Sequence, residues 1–146
     1  MRTLLLASFA LALSISASAQ TAAEIDRVTI AIDCDDIATL EVGAATSGTL
    51  VEASDCMYQD GSTADYYVFK LDQDASVTIT HRSNDFDAYL VLYEGNGLIM
   101  EIDDDSGAGP TGFDSMIAAD LDAGVYMIAA NHISGEGTYT VEVSTN

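Results

Sequence analysis

In ASVTITH (Ala75 to His81), Val77 and Ile79 fall on one side and Ser76, Thr78 and Thr80 on the other. That period of two is the mark of a half-buried strand. The same reading predicts strands at VTIAI (Val28 to Ile32), TLEV (Thr39 to Val42) and, after the loop AATS, GTLVE from Gly48. ASDCMYQDGSTA is a polar loop, and YYVFKL (Tyr66 to Leu71) alternates into a turn at DQDA. DAYLVLYE (Asp87 to Glu94) is more continuously apolar and predicts an interior strand. Gly95-Asn96-Gly97 then separates it from LIMEI, and Asn-Gly between apolar runs is a strong hairpin signal. SMIAADL, GVYMIAAN and GTYTVEV complete the pattern, divided by turns at Asp122 to Gly124 and Ser134 to Gly137. Strong helix signals are absent. Eight or nine short strands predict an all-β fold, an antiparallel β-sandwich or jelly roll. Tyr66, Phe69, Tyr89, Leu90, Leu92, Tyr126, Ile128 and Tyr139 are the expected core. A tyrosine platform for sugars is the rival use of those rings, but a β-core employs tyrosine as readily.

The first 19 residues depart from this pattern. Arg2 precedes an apolar run from Leu4 to Ile15, and Ala17 and Ala19 occupy the small-residue positions of a cleavage site. This is the layout of a signal peptide, too short to span a bilayer as a helix. It predicts a mature chain from Gln20, exported to the periplasm or beyond, with no membrane insertion. The remaining length suits one domain with a single core.

Charge narrows the function classes. There are 24 acidic and 4 basic residues, a formal net charge of −20. A nucleic-acid binder needs clustered Lys and Arg, and an anionic membrane surface would repel this chain. Most of the aspartates read as a solvated surface.

Cys34 and Cys56 follow an export signal, so the expected state is a disulfide. Closing that loop contributes ~3 kcal/mol by the loop-entropy estimate. A reactive thiol is the alternative, though no basic residue lies beside either cysteine in sequence.

The stretch EIDDDSGAGPTGFDS, Glu101 to Ser115, concentrates the candidate chemistry. Calcium takes six to eight oxygens, and Asp103, Asp104, Asp105 and Asp114 would surround an ion if the loop folds back, with Asp85 and Asp87 approaching from the neighbouring strand. Asp103 and Asp114 have the spacing of the first and last EF-hand positions. However, Ala108 stands where that loop needs glycine, and no helices flank it. Asp55, Asp60 and Asp65 form a second candidate group. The alternative without metal is a clamp, in which aspartates at a strand end accept backbone N–H groups. Catalysis by paired carboxylates, for example Asp87 and Asp104, needs a cleft and one raised pKa. His81 and His132 lie in no nucleophile motif and read as surface or turn histidines.

Five motifs stand in order: SGTL; DYYVFKLDQDASVTI; NDFDAYLVLYEGNG; LIMEIDDDSG; and LDAGVYMIAANHISGEGTYTVEV. Together they resemble the bacterial pre-peptidase C-terminal domain over about Gly48 to Val143. The resemblance implies a non-catalytic β-sandwich at 47–146, preceded by an arm and first strands at 20–46. It implies an accessory module of exported enzymes that serves secretion, stability, or binding of substrate or matrix. In calcium-dependent relatives the N-terminal arm and the segment before the Asp-Tyr strand supply ligands. That makes Asp33, Asp35 and Asp36 the matching arm. No enzyme domain fits in the residues before Gly48, so the module is expected to stand alone.

The expected function is therefore that of a secreted or periplasmic binding or accessory module, monomeric, with calcium as an optional occupant. Its ligand would be a polysaccharide, a matrix protein or a partner exoenzyme. The rivals are a small hydrolase with paired carboxylates and a structural subunit that associates through a sheet edge.

Overall fold

The computed structural model describes residues 34, 36–51, 56–107, 109–110 and 112–146. The expected strand VTIAI and the signal segment lie outside them, as do Asp33, Asp35 and Asp55. The described residues form nine strands: β1 (Ile37–Thr39), β2 (Ala45–Leu50), β3 (Ala64–Leu71), β4 (Ala75–Ser83), β5 (Asp87–Glu94), β6 (Ile99–Asp103), β7 (Ser115–Leu121), β8 (Gly124–Ser134) and β9 (Gly137–Thr145). One sheet has the order β1-β3-β8-β5-β6 and the other β2-β9-β4-β7. Every adjacent pair is antiparallel except β1 beside β3, where Ile37 lies opposite Tyr66 in parallel. The fold is the expected all-β sandwich.

DAYLVLYE is β5 in full and lies inside its sheet, between β8 and β6. The Asn-Gly hairpin also forms. Gly97 takes φ 84°, and Glu94 N–H donates to the Leu98 carbonyl at 2.9 Å. The expectation fails around residues 39–47. TLEV is the end of β1 followed by a turn over Gly43, and AATS opens β2 instead of forming a loop. The turn carries the chain from the five-stranded sheet to the four-stranded one. In β2 the inward positions include Thr46 and Gly48, so hydroxyls and a missing side chain hide the alternation.

Phe69, Leu71, Val77, Ile79, Leu90, Leu92, Ile117, Ile128, Val141 and Val143 pack between the sheets. A second apolar layer covers the outer face of the five-stranded sheet: Tyr66, Val68, Val91, Tyr93, Met127 and Ala129, under Cys56 and with Cys34, Tyr58 and Tyr89 against it. Strands apolar on both faces bury both, which is why β5 reads as a continuous run. Burying each large side chain stabilises by ~1.5–3 kcal/mol. Two expected core positions belong to this outer layer, Tyr66 buried as expected and Tyr89 only in part. Tyr66 is buried in this outer layer, with its hydroxyl donating to the Met57 carbonyl at 3.2 Å. Tyr89 is only partly buried, edge-on to Tyr58 at 5.9 Å. The expected disulfide joins Cys34 to Cys56 with a Cα–Cα separation of 5.1 Å.

The register brings the C-terminal ends of β4, β6 and β8 to the same end of the sandwich as the starts of β3, β5, β7 and β9. There the two sheets are tied by polar bonds. Ser115 Oγ donates to the Ala88 and Asp104 carbonyls (2.6 and 2.8 Å), and Ala88 N–H donates to the Phe113 carbonyl at 3.0 Å. Among the described residues no helix is long and apolar enough to cross a membrane.

Candidate functional site

The polar end contains most of the aspartates singled out in the sequence, and it divides them among separate tasks. Asp85 sits in the turn after β4. Its Oδ2 accepts from both N–H and Oγ1 of Thr138, each at 2.9 Å, and the backbone bond leads in holding its carboxyl below the usual range. Asp103 closes the opposite edge: its Oδ2 accepts from the Ser106 and Met116 amides at 3.1 and 2.8 Å. That carboxylate fastens β6 to β7 across the two sheets, the clamp expected of the loop. Asp104 Oδ1 takes the amide of its neighbour Asp105, a local bond at 2.9 Å. Asp87 has one buried oxygen without a hydrogen bond among the described residues. Desolvation first, then the charges of Asp105 and Asp104, push its carboxyl up.

Of the second group, Asp60 Oδ1 accepts from Ser62 N–H and Oγ at 2.9 and 2.5 Å, and these bonds lower its pKa. Asp65 turns inward, where burial raises its carboxyl against the opposing bond from Tyr139; nearby Asp36 adds to the rise. Among the described residues no three His, Cys, Asp or Glu side chains converge to hold a metal ion. The carboxylates that a calcium site would need are engaged with backbone and hydroxyl donors, or stand apart.

His81 is not a surface histidine. It follows Val77 and Ile79 on the inward face of β4 and is fully buried. Its Nδ1 lies 3.3 Å from the Tyr89 carbonyl, and its ring stands edge-on to Tyr139 at 4.9 Å. Burial is the main reason its pKa falls to about 4, so the ring is neutral at pH 7. Phe86 lies between it and His132, with ring centroids 5.7 and 5.9 Å away. His132 is half-buried, with both ring nitrogens enclosed.

The concave feature of this end lies on the outer face of the four-stranded sheet. Strand pairing sets Ser47 beside Thr140 and Thr140 beside Arg82; Thr49 lies beside Thr138. Together with Ser83, Asn84, Pro110 and Asp114 they line a groove of about 650 Å³. Asp114 is its buried acid. The side chain is 2% exposed, Oδ1 accepts from the Ser83 amide at 3.3 Å, and among the described residues Oδ2 has no hydrogen bond. A Cβ at Gly109 would occupy the place of that carboxylate, so the glycine lets the loop close over it. Arg82, 54% exposed, brings Nε to 3.9 Å from the bare Oδ2. Lys70, the other basic residue among those described, is on β3 and pairs with Asp72 at 3.1 Å. The groove thus offers guanidinium donors, held from beneath by a buried carboxylate and walled by hydroxyls. Of these residues the sequence signalled only Asp114.

No family model matches the chain, and no curated protein matches it. Among solved structures it is similar to the pre-peptidase C-terminal domain of a collagenase from Bacillus anthracis. The TM-score is 0.56 at 15% identity, over 73% of this chain and 93% of that one. The periplasmic inhibitor of g-type lysozyme, PliG, from Salmonella Typhimurium gives a TM-score of 0.48 at 15% identity, over 76% of this chain and 99% of that one. CorA, a surface-associated copper-binding protein of Methylomicrobium album BG8, gives 0.49 at 11%, over 75% and 98%. The resemblance read from the five motifs therefore holds at the level of architecture: this chain has the β-sandwich fold of a pre-peptidase C-terminal domain.

Proposed function

We propose that the chain is an exported, non-catalytic binding module whose binding face is the Arg82–Asp114 groove, and that its ligand is a neutral, hydroxyl-rich polymer of the polysaccharide class. One observation carries this reading: the exposed guanidinium of Arg82 stands over the buried carboxylate of Asp114 on a concave surface walled by Ser47, Thr49, Thr138 and Thr140. Asp114 Oδ2, 3.9 Å from Nε and shielded from solvent, holds the guanidinium in place. A sugar hydroxyl both donates and accepts, so it takes a bond from Arg82 and gives one to a wall hydroxyl. The Ser47, Thr49, Thr138 and Thr140 side chains suit further hydroxyls. A polyanion would meet a net charge of −20. Hydrolysis by paired carboxylates needs two acids across a cleft, whereas this groove pairs one acid with one cation. The Cys34–Cys56 disulfide supports the export part of the reading.

Affinity electrophoresis tests it. The chain should be retarded in gels cast with a neutral polysaccharide such as dextran or laminarin and not with acidic alginate. Arg82→Gln and Asp114→Asn should each migrate as in the blank gel. Retardation that survives both substitutions would place binding elsewhere, and none on any neutral polymer would overturn the ligand class.

A further inference from the structure

Among the described residues the five-stranded sheet ends at β6, which pairs only with β5. Natural edge strands are blunted with charges, proline, bulges or cover, because their free N–H and C=O groups recruit other strands. This one is short, with Glu101 and a register irregularity, but carries neither lysine nor proline. Its apolar side chains face water instead: Ile99, Met100 and Ile102 are 41%, 44% and 43% exposed, and Leu98 in the preceding turn 64%. Register runs from Tyr93 opposite Ile99 to Leu90 opposite Asp103, with an irregularity after Leu92 that leaves Met100 unpaired in the ladder. Met100 and the residues beside it therefore form an apolar strip on an open edge, in a chain whose remaining surface is strongly acidic. The strip contains Glu101 and runs into Asp103, Asp104 and Asp105.

We propose that the β6 edge docks an extended, cationic segment of a partner protein, added as a sixth strand to the five-stranded sheet. Main-chain bonds to the open edge would provide register, and alternate side chains would cover Ile99 and Ile102. The sign of the partner follows from the charge around the edge. Two copies of this chain, each at −20, repel at long range and would bring Glu101 and Asp103 to Asp105 together. A lysine-bearing strand is drawn in by the same field, which raises its association rate. This surface belongs to the other sheet from the groove and is independent of it.

Calorimetric titration of the full chain with a synthetic peptide of alternating lysine and valine tests the proposal. The matched peptide of glutamate and valine and a scrambled lysine peptide serve as controls. Saturable binding of the alternating lysine peptide is expected, tighter than either control. It should weaken at least ~10-fold in Ile102→Lys and in Met100→Lys, each of which adds repulsion at the edge, and should fall with added salt. Val51→Lys, at an exposed apolar position just after β2 of the other sheet, should bind as the parent does. Melting temperatures close to the parent's would show that the variants are folded. Absence of binding, or equal binding by Ile102→Lys, overturns the proposal. A dimer in light scattering that Ile102→Lys dissolves would instead make a second copy the occupant.

Discussion

The phenol oxygen of Tyr139, on β9 of the four-stranded sheet, lies 2.5 Å from Asp65 Oδ2 on β3 of the five-stranded sheet. The same oxygen lies 2.6 Å from the hydroxyl of Tyr67. The ring reaches across the sandwich because the residue opposite it on β2 is Gly48, where any Cβ would collide with the phenol. Burial, then the bonds to Asp65 and Tyr67, hold the Tyr139 hydroxyl far above its ordinary pKa, so it donates at every working pH.

Tyr139→Phe should therefore strand a partly buried carboxylate and cost about 1–3 kcal/mol in urea unfolding. The Asp65 carboxyl should rise further, because the bond from Tyr139 is the contribution that lowers it. Gly48→Ala should cost a similar ~1–3 kcal/mol by overpacking. Parent-like stability in both variants would remove Tyr139 as the tie between the sheets.

His81 makes folding sensitive to mild acid. Unfolded, its imidazole titrates near ~6.5; folded, at about 4. As pH falls through that window the unfolded chain takes up a proton that the folded chain refuses, so stability should drop by ~2–4 kcal/mol. Asp65 and Asp87, whose carboxyls are raised, return part of this as pH falls through their folded values. His81→Asn keeps a donor near Nδ1 and loses the titration. Its unfolding free energy should be flatter between those pH values, and an unchanged slope would refute the assignment.

Much of this fold was legible because its strands obey simple periods. β5 and β7 lie where DAYLVLYE and SMIAADL place them, and the Asn96-Gly97 hairpin follows from backbone preference. GTLVE lies partly in β2, but the first half of β2 escaped because Thr46 and Gly48 replace apolar residues at inward positions. His81 was readable in principle: it continues the Val77, Ile79 face, and only its polarity argued for the surface. The groove was not readable. Arg82 and Asp114 meet only through sheet packing, and a carboxylate gives no local sign of whether it will be buried.

Cys34→Ser should lower stability by ~2–4 kcal/mol, since the disulfide anchors the cover over Tyr66, Tyr93 and Met127. Binding at the groove on the opposite sheet should be untouched. Alkylation of two free thiols in the isolated protein would show that the bond does not form.

The aspartate loop separates clamp from metal. Asp103→Ala loses two amide bonds that join β6 to its own loop and to β7, and should cost ~1–3 kcal/mol. Asp104→Ala, whose carboxylate among the described residues bonds the next residue's amide alone, should stay within ~0.5 kcal/mol. Calcium and magnesium at matched ionic strength should raise the melting temperature equally, by screening a net charge of −20. A shift specific to calcium and lost in Asp104→Asn would make the ion a component of the fold.

The central claim is that the Arg82–Asp114 groove binds a neutral glycan, and amide chemical-shift mapping during titration with soluble laminarin or dextran tests it most directly. The account predicts saturable shifts confined to Ser47–Thr49, Arg82–Asn84, Asp114 and Thr138–Thr140, all abolished in Asp114→Asn. Shifts centred on another surface, or none at saturating polymer with either glycan, would contradict it.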